Sequence, residues 1–367
     1  MAGGKVSVFT TLYNHERFIG QAIQSALSQT ISPGEVIVID DASTDESVPA
    51  ARVIDNPLVR VFEEKYNLGG ANTIKGVSLC TGEFIAILNS DDAWESEKLK
   101  KQCRMMSMLP NAGVIFTHVK VIDESGTEWD AGSHRVQQTF NSGNRTRHEW
   151  LRYLFLAGNP FCASSALVRR SCLDELGSLN GGYIQLQDMD MWIRIAIAGY
   201  DLHIIEEPLT YYRIMRNGGN LSVGDGGALA TNFFEAAKIY RHFWHLSSLK
   251  DLVAVFPEIK VHDKADDSLI LFYLARYAAT LPGIHYRLFA LETMSRWGGD
   301  PRAMNLAREC HGFDFRQYRD FFSSGPIRQW LNYSFRYQLS RVAKRVLAPA
   351  AYQRVRTGIR QFLRKAI

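Results

Sequence analysis

The stretch Phe84-Ile85-Ala86-Ile87-Leu88-Asn89-Ser90-Asp91-Asp92-Ala93-Trp94 constrains this chain more than any other. An apolar, isoleucine-bearing run stops abruptly at two adjacent carboxylates. The run reads as a strand buried on both faces, as in a parallel sheet. Its polar end then opens at the carboxyl edge of that sheet, where α/β proteins place ligands. Two neighbouring acids repel each other, and a hard divalent cation shared with phosphate oxygens offsets that charge. An Asp N-cap before a helix starting near Ser96 is the plainer account of the same residues.

The preceding residues repeat the pattern. Val6–Thr10 reads as a strand that ends in the polar-aromatic loop Thr10–Asn14. Phe18, Ile19, Ala22, Ile23, Ala26 and Leu27 fall at helical spacing. After Pro33-Gly34, Val36–Ile39 makes a second apolar strand, again ending in paired acids, Asp40 and Asp41. A helix over 46–53, a strand over Val59–Phe62 and a glycine-bearing turn at 67–72 follow, and after the Phe84 strand come a Trp94–Met108 helix and a strand at Val114–Phe116. Strands alternating with helices predict an α/β fold with a doubly wound, mostly parallel sheet. Two acid pairs then reach one sheet edge, with turn chemistry involving Ser43 and Thr44 as the competing account of Asp40 and Asp41.

Past Val121 the alternation loosens. Residues 123–147 are polar and glycine-bearing, suited to a long acceptor-side excursion. From Ala228 onward no strand pattern appears, and Phe233, Ala237, Tyr240, Phe243 and Trp244 form a helical stripe that reads as packed core. After Asp320 there is no acid, while ten basic residues follow, from Arg328 to Lys365. Leu339, Val342, Val346, Val355, Ile359 and Phe362 give that stretch an apolar face. Basic amphipathic helices suit an anionic membrane surface, or pack on their own domain or a second copy of the chain. No nucleic-acid-reading motif accompanies the charge, so nucleic acid is not an expected partner. With 367 residues the chain is long for one compact core, so more than one domain is expected. Its five cysteines show no metal-ligand spacing, which fits a reduced cytoplasmic setting. No secretory signal is visible at the N-terminus and no apolar run approaches about 18 residues, so no membrane span is expected.

Four segments in order carry a resemblance: Val6–Asn14, Gln24–Thr30, Val38–Asp45 and Thr81–Asp92. Together they resemble the family 2 glycosyltransferases, over roughly residues 5–222. That family has the GT-A fold, a nucleotide-diphospho-sugar-binding α/β domain. The implied organisation is a catalytic domain over 1–224, a helical appendage over 225–325 and basic amphipathic helices over 326–367.

The resemblance also implies roles. Thr10, Thr11 and Tyr13 would line the nucleoside pocket, and Asp41 would accept the imide N–H of a uracil or thymine. Asp91 would face the ribose or sugar, and Asp92 would hold the Mg²⁺ or Mn²⁺ that bridges the diphosphate. The Arg-Asn pair common in the family after the glycine turn is missing from the shortened stretch Asn72–Gly76. Lys75 is there a candidate diphosphate contact, or a solvated helix face. Gln187-Asp188-Met189-Asp190-Met191-Trp192 resembles the family's Glu-Asp-x-Asp-x-Trp element. Asp188 falls on the catalytic base, Gln187 stands where a Glu is commoner on the acceptor side, and Asp190 reads as a cap or structural partner. Tyr211-Tyr212-Arg213 resembles the segment that closes the catalytic domain, with Arg213 bracing a strand end or contacting the diphosphate. Arg216, near where many members carry His, belongs to a loop expected to fold over the diphosphate.

The implied activity is an inverting, metal-dependent transfer of a sugar from a UDP-sugar or dTDP-sugar to a hydroxyl of a glycan or lipid-linked glycan, in bacterial surface polysaccharide synthesis. The chain would work in the cytoplasm or held peripherally at the inner face of the cell membrane. The alternative is a non-catalytic nucleotide-sugar-binding or assembly subunit of the same fold, suggested by Gln187 and the shortened 72–76 stretch. A sugar-phosphate nucleotidyltransferase would need a glycine-rich, Arg-bearing loop after the first strand, and Thr10–Asn14 is not one.

Overall fold

The computed structural model describes residues 6–129, 134–215 and 226–323. They divide into two compact units, one ending at Val261 and one beginning at His262.

The first unit is built on an eight-stranded sheet in the order β3-β2-β1-β4-β7-β6-β8-β5. Its strands are β1 (Val6–Leu12), β2 (Glu35–Asp40), β3 (Val59–Glu63), β4 (Phe84–Ile87), β5 (Ala93–Trp94), β6 (Ala112–Ile122), β7 (Leu167–Arg169) and β8 (Asp201–Arg213). The helices are α1 (Ile19–Leu27), α2 (Ser47–Arg52), α3 (Gly70–Leu79), α4 (Lys98–Met108), α5 (Arg135–Phe140), α6 (Arg147–Leu156), α7 (Arg170–Leu176), α8 (Gln187–Ile197), α9 (Gly226–Ile239) and α10 (Leu249–Val255). β3, β2, β1 and β4 run parallel to their neighbours, as do β6 and β8, whereas β7 lies antiparallel between β4 and β6 and β5 lies antiparallel on β8. The α/β reading holds, with the antiparallel pairings collected in the second half of the sheet.

Burial on both faces explains the unbroken apolar runs of β1 and β2. On one face, Val6, Val8, Leu12, Val36 and Val38 share a core with Ile19, Ala22, Ile23 and Ala26 of α1 and with Leu99, Cys103 and Met106 of α4. On the other, α3 lies so close that a Cβ on Gly76 would come within 2.2 Å of the Phe9 ring and 3.0 Å of Ile39. Only glycine allows that approach. α1 lacks a side-chain cap, so packing of its apolar face rather than its termini holds it helical.

The sequence pattern extends α4 back to Trp94, but the helix starts at Lys98. Residues 93–94 instead pair with Thr210 and Tyr211. Strand pairing there outcompetes local helix propensity, and it carries Asp92 toward the end of β8.

The polar excursion begins with a tight turn at 123–127, contains α5 and leads into α6. α6 opens with a full capping box between Thr146 and Glu149. α8 is fastened to β6 by rings: Trp192 meets Phe116 edge-on at 4.8 Å, and Phe116 stacks on Phe161 at 4.1 Å. Helices α9 and α10 belong to this first unit, beyond the boundary at 224 expected from the sequence.

The second unit contains α11 (Ile270–Thr280), α12 (Ile284–Trp297), α13 (Pro301–His311) and α14 (Phe315–Ser323). Phe272, Phe289, Met294 and Trp297 are buried there. The basic stretch 326–367 lies outside the described residues. Among the described residues no helix is long and apolar enough to cross a membrane.

Candidate active site

Because β1, β2 and β4 are parallel neighbours, their carboxyl ends emerge together, and side chains stitch the loops that follow. Asn14, at φ 52°, donates its N–H to Ser43 Oγ at 2.9 Å and accepts the Thr44 N–H at 2.8 Å. His15 reaches Ser90 Oγ through Nδ1 at 2.8 Å and donates its backbone N–H to Ser47 Oγ. The first, second and fourth strand ends thus form one polar edge.

The acid pair sits at the centre of that edge. Asp92 is 1% exposed. Its Oδ1 accepts the Arg213 N–H at 2.8 Å, and its Oδ2 accepts from Ser164 Oγ at 2.5 Å and Asn89 Nδ2 at 3.3 Å. Burial and the charge of Asp91 push its carboxyl well above the ordinary range. Burial also raises Asp91, opposed by the positive fields of His15 and Arg213. The Asp91 carboxylate accepts from its own N–H and, among the described residues, from no other donor. Of the two acids, Asp91 therefore keeps oxygens for a ligand.

Arg213 braces this arrangement. It is 1% exposed, and its guanidinium donates to the carbonyls of Asp91 and Asp123 and to Gln21 Oε1 at 2.6–2.7 Å. Each guanidinium nitrogen thus holds a protein acceptor, which is the bracing role. Arg216 lies outside the described residues.

At the end of β2, Asp40 accepts the Ser43 N–H at 3.0 Å, closing a turn that holds Ala42 at φ 61°. A left-handed non-glycine residue is costly and persists where its surroundings impose it. The Asp41 carboxylate is turned toward the start of α3, where it accepts the N–H groups of Leu68 and Gly69 at 2.8 and 2.9 Å and the Asn72 side-chain amide. It caps a helix that has no cap of its own. Expected as the base-recognising acid, Asp41 is 4% exposed and engaged with the turn that opens α3.

Asp188 lies in the first turn of α8. Its Oδ1 accepts the Met189 N–H and its Oδ2 the Asn159 amide, both at 2.7 Å. The residue is half-buried, and desolvation of its carboxyl raises the pKa to about 6, against those two bonds and one from its own N–H. Five residues after Asn159, Ser164 holds Asp92, so one short segment touches both acids. Asp190 is buried, bonded to His242 Nε2 at 2.7 Å and Arg194 Nε at 2.8 Å.

The remaining candidates are spread along the edge. Thr10 is buried with its hydroxyl unpartnered, Thr11 lies 3.4 Å from the Thr73 hydroxyl, and Tyr13 is exposed. Lys75 pairs with Glu64 on the solvent side of α3, which favours the solvated-face reading. Gln187 donates to the Tyr183 carbonyl. His15, Asn159 and Ser164 were not singled out in the sequence. Their partners lie 75, 29 and 72 residues away, and no local pattern marks them.

Among the described residues no group of three or more His, Cys, Asp or Glu side chains could hold a metal ion. A Mg²⁺-like ion held by one or two carboxylates plus substrate phosphates needs no such cage. The Asp91 carboxylate, which among the described residues accepts from its own N–H alone, fits that limited role.

Comparison with known proteins agrees with this geometry. The sequence model "Glycosyl transferase family 2" matches residues 7–177, from β1 to the end of α7. An uncharacterized glycosyltransferase of Nostoc sp. is 26% identical over 217 residues, covering 57% of this chain and 65% of that protein, so the chain spans just under two thirds of its length. The teichuronic acid biosynthesis glycosyltransferase TuaG of Bacillus subtilis, itself described as putative, is 25% identical over 253 residues, 67% of this chain and 90% of that one. Among solved structures, S. aureus TarS 1-349 in complex with UDP-GlcNAc superposes with a TM-score of 0.53 at 17% identity, covering 89% of this chain and 92% of that one, a likeness of fold. An uncharacterized glycosyltransferase of Methanocaldococcus jannaschii is 30% identical over 226 residues, 59% of this chain and 73% of that protein. Identity of that depth over nearly three quarters of that protein, with the family model lying over the acid-bearing strand ends, establishes that the chain belongs to glycosyl transferase family 2.

Proposed function

We propose that the chain transfers a sugar, with inversion, from a UDP-sugar to a hydroxyl of a glycan or lipid-linked glycan during bacterial surface polysaccharide assembly. The observation that carries this reading is the Asp188 carboxylate, with a pKa near 6 and both oxygens oriented. A base with that pKa is ionised at neutral pH and basic enough to accept a proton as the bond forms. In the reaction the acceptor oxygen attacks the anomeric carbon from the face opposite the nucleotide. Asp188 takes the hydroxyl proton, and the bond from carbon to the diphosphate oxygen breaks.

The donor class is supported by the UDP-GlcNAc in the TarS structure and the polysaccharide setting by the name of TuaG. Asp91 is the residue we assign to a divalent cation alongside the donor's phosphates, with Arg213 holding its carbonyl and, with Ser164, the neighbouring Asp92. Such a cation neutralises charge on the departing diphosphate. The basic stretch 326–367 would keep the enzyme at an anionic membrane surface that carries the acceptor.

Turnover of labelled UDP-sugars with Mn²⁺ and a panel of glycan acceptors tests the assignment. Transfer is expected for the native chain and lost in Asp188→Asn. Tight UDP binding with neither transfer nor donor hydrolysis would instead favour a non-catalytic nucleotide-sugar-binding subunit.

A further inference from the structure

The segment that leads into α8 is held from a distance. The N–H groups of Ile184, Gln185 and Leu186 all donate to the Glu235 carboxylate, at 2.6, 3.0 and 2.9 Å. Glu235 stands on α9 and is 2% exposed. α8 has no side-chain cap of its own. Its approach is instead gathered by this remote carboxylate, while Asp188 itself takes the Met189 N–H within the first turn. A buried carboxylate is tolerated when several N–H groups surround it, and charge-assisted bonds of this kind are the stronger ones.

A second grip lies on the far side of Asp188. His242 follows α9 and bonds Asp190 at 2.7 Å, and Asp190 also holds Arg194. Arg194 in turn donates to the carbonyls of Leu176, Gly177 and Ser178 at the other end of the same loop. Residues 235–242 therefore seize α8 on both sides of the proposed base. Both gripping residues lie beyond the 7–177 span matched by the family model.

We propose that Glu235 is a positioning residue for Asp188: by collecting three consecutive backbone N–H groups it fixes the entry of α8 and so the direction in which the Asp188 carboxylate faces the acceptor. This rests on the reading of Asp188 as the base. The helical segment after the sheet is then part of the transfer machinery.

The test compares Glu235→Gln and Glu235→Asp with the native chain, well below the melting temperature of each variant. Gln keeps the shape but places an NH₂ group against backbone donors, and Asp keeps the charge one methylene short. Both are expected to accelerate amide exchange at 184–186. They are expected to lower kcat at least about tenfold while donor KM stays within about twofold, since displacing a catalytic group by an ångström costs on the order of 100-fold. Either variant suffices if the other does not fold. Faster exchange with kcat within about twofold of native would overturn the proposal and leave Glu235 a purely structural clamp. Unchanged exchange would overturn it as well. Asp188→Asn, assayed in parallel, separates the two claims. Transfer retained there sinks the base assignment, while transfer lost there and intact in the Glu235 variants sinks the positioning role alone.

Discussion

The Asn159 side-chain amide donates to Asp188 Oδ2 at 2.7 Å, and that bond is one of three, with the N–H groups of Met189 and of Asp188 itself, that counter the desolvation raising the Asp188 carboxyl to about 6. Asn159→Ala deletes a donor to the charged form without touching the α8 backbone. A hydrogen bond to an ionised group is worth roughly 1.5–3 kcal/mol, so the carboxyl should rise by about one to two further pKa units. The acid limb of the kcat–pH profile is expected to move up by that amount, with donor KM little changed. An unmoved limb would show that the bond does not set the base.

The raised carboxyl of Asp188 also has a stability cost with a definite sign. Its folded pKa of about 6 exceeds the ordinary carboxyl value of 3.8, so the folded state holds the proton more tightly between those values. The stability it contributes is complete below the unfolded pKa and is lost as pH rises through about 6. Activity runs the other way, rising with pH through about 6 as the base ionises. Asp188→Asn is therefore expected to cut transfer by about 100-fold or more. Its NH₂ meets a donor on one side, which costs stability at every pH, but removal of the titrating group should make the variant compare more favourably with the native chain at pH 7 than at pH 4, which thermal melts at the two pH values would show.

The two acids of the central pair should separate in mutagenesis. Asp92 accepts from Arg213, Ser164 and Asn89 in a buried setting, whereas among the described residues Asp91 has its own N–H alone as a donor. Asp92→Asn places an NH₂ among donors and is expected to destabilise the fold by about 1–3 kcal/mol. Asp91→Asn should leave the melting temperature nearly unchanged and abolish the stabilisation that UDP with Mn²⁺ gives over UDP alone. Equal loss of cation-dependent stabilisation in folded Asp92→Asn would reassign the cation contact to Asp92.

How much of this was legible in the residues follows from range. β1, β2 and β4 announce themselves because burial on both faces demands unbroken apolar runs, and the acids after them mark where the chain leaves the core. Asp188 could be placed through its neighbours Gln187, Asp190 and Trp192. The orientation of a carboxylate was not legible: Asp41 faces Leu68, Gly69 and Asn72, partners 27 to 31 residues on, and no local pattern reveals that. The grip of Glu235 on Ile184 spans 51 residues and was equally hidden. The start of α4 was misjudged because strand pairing with Thr210 and Tyr211 captures residues 93–94. Tertiary contacts of this kind override propensity.

Lys98 is the least expected member of the core that supports the pair. It stands in a run with Lys100 and Lys101 that gives no hint which lysine is buried, yet it is 0% exposed. Its Nζ lies 4.0 Å from the Trp94 ring centroid and 2.9 Å from Gln102 Oε1. Trp94 donates its indole N–H to the Ser164 carbonyl, and Gln102 donates to the carbonyls of Ile115 and Ser165. The lysine thus packs beneath the turn whose Ser164 hydroxyl holds Asp92. Burial lowers its pKa from 10.5 to about 7. Since the unfolded chain binds that proton more tightly, this group makes stability rise with pH between about 7 and 10.5, and its full penalty is present below 7. Lys98→Met keeps the volume and removes the charge, as in buried ionic groups replaced by apolar residues at no loss or with a gain in stability. The variant is expected to melt higher than the native chain at pH 6, by an increment worth about 1–3 kcal/mol, and the difference should narrow by pH 9. A variant that melts lower at both pH values would show that the Gln102 bond and the contact with Trp94 outweigh the cost of the buried ammonium.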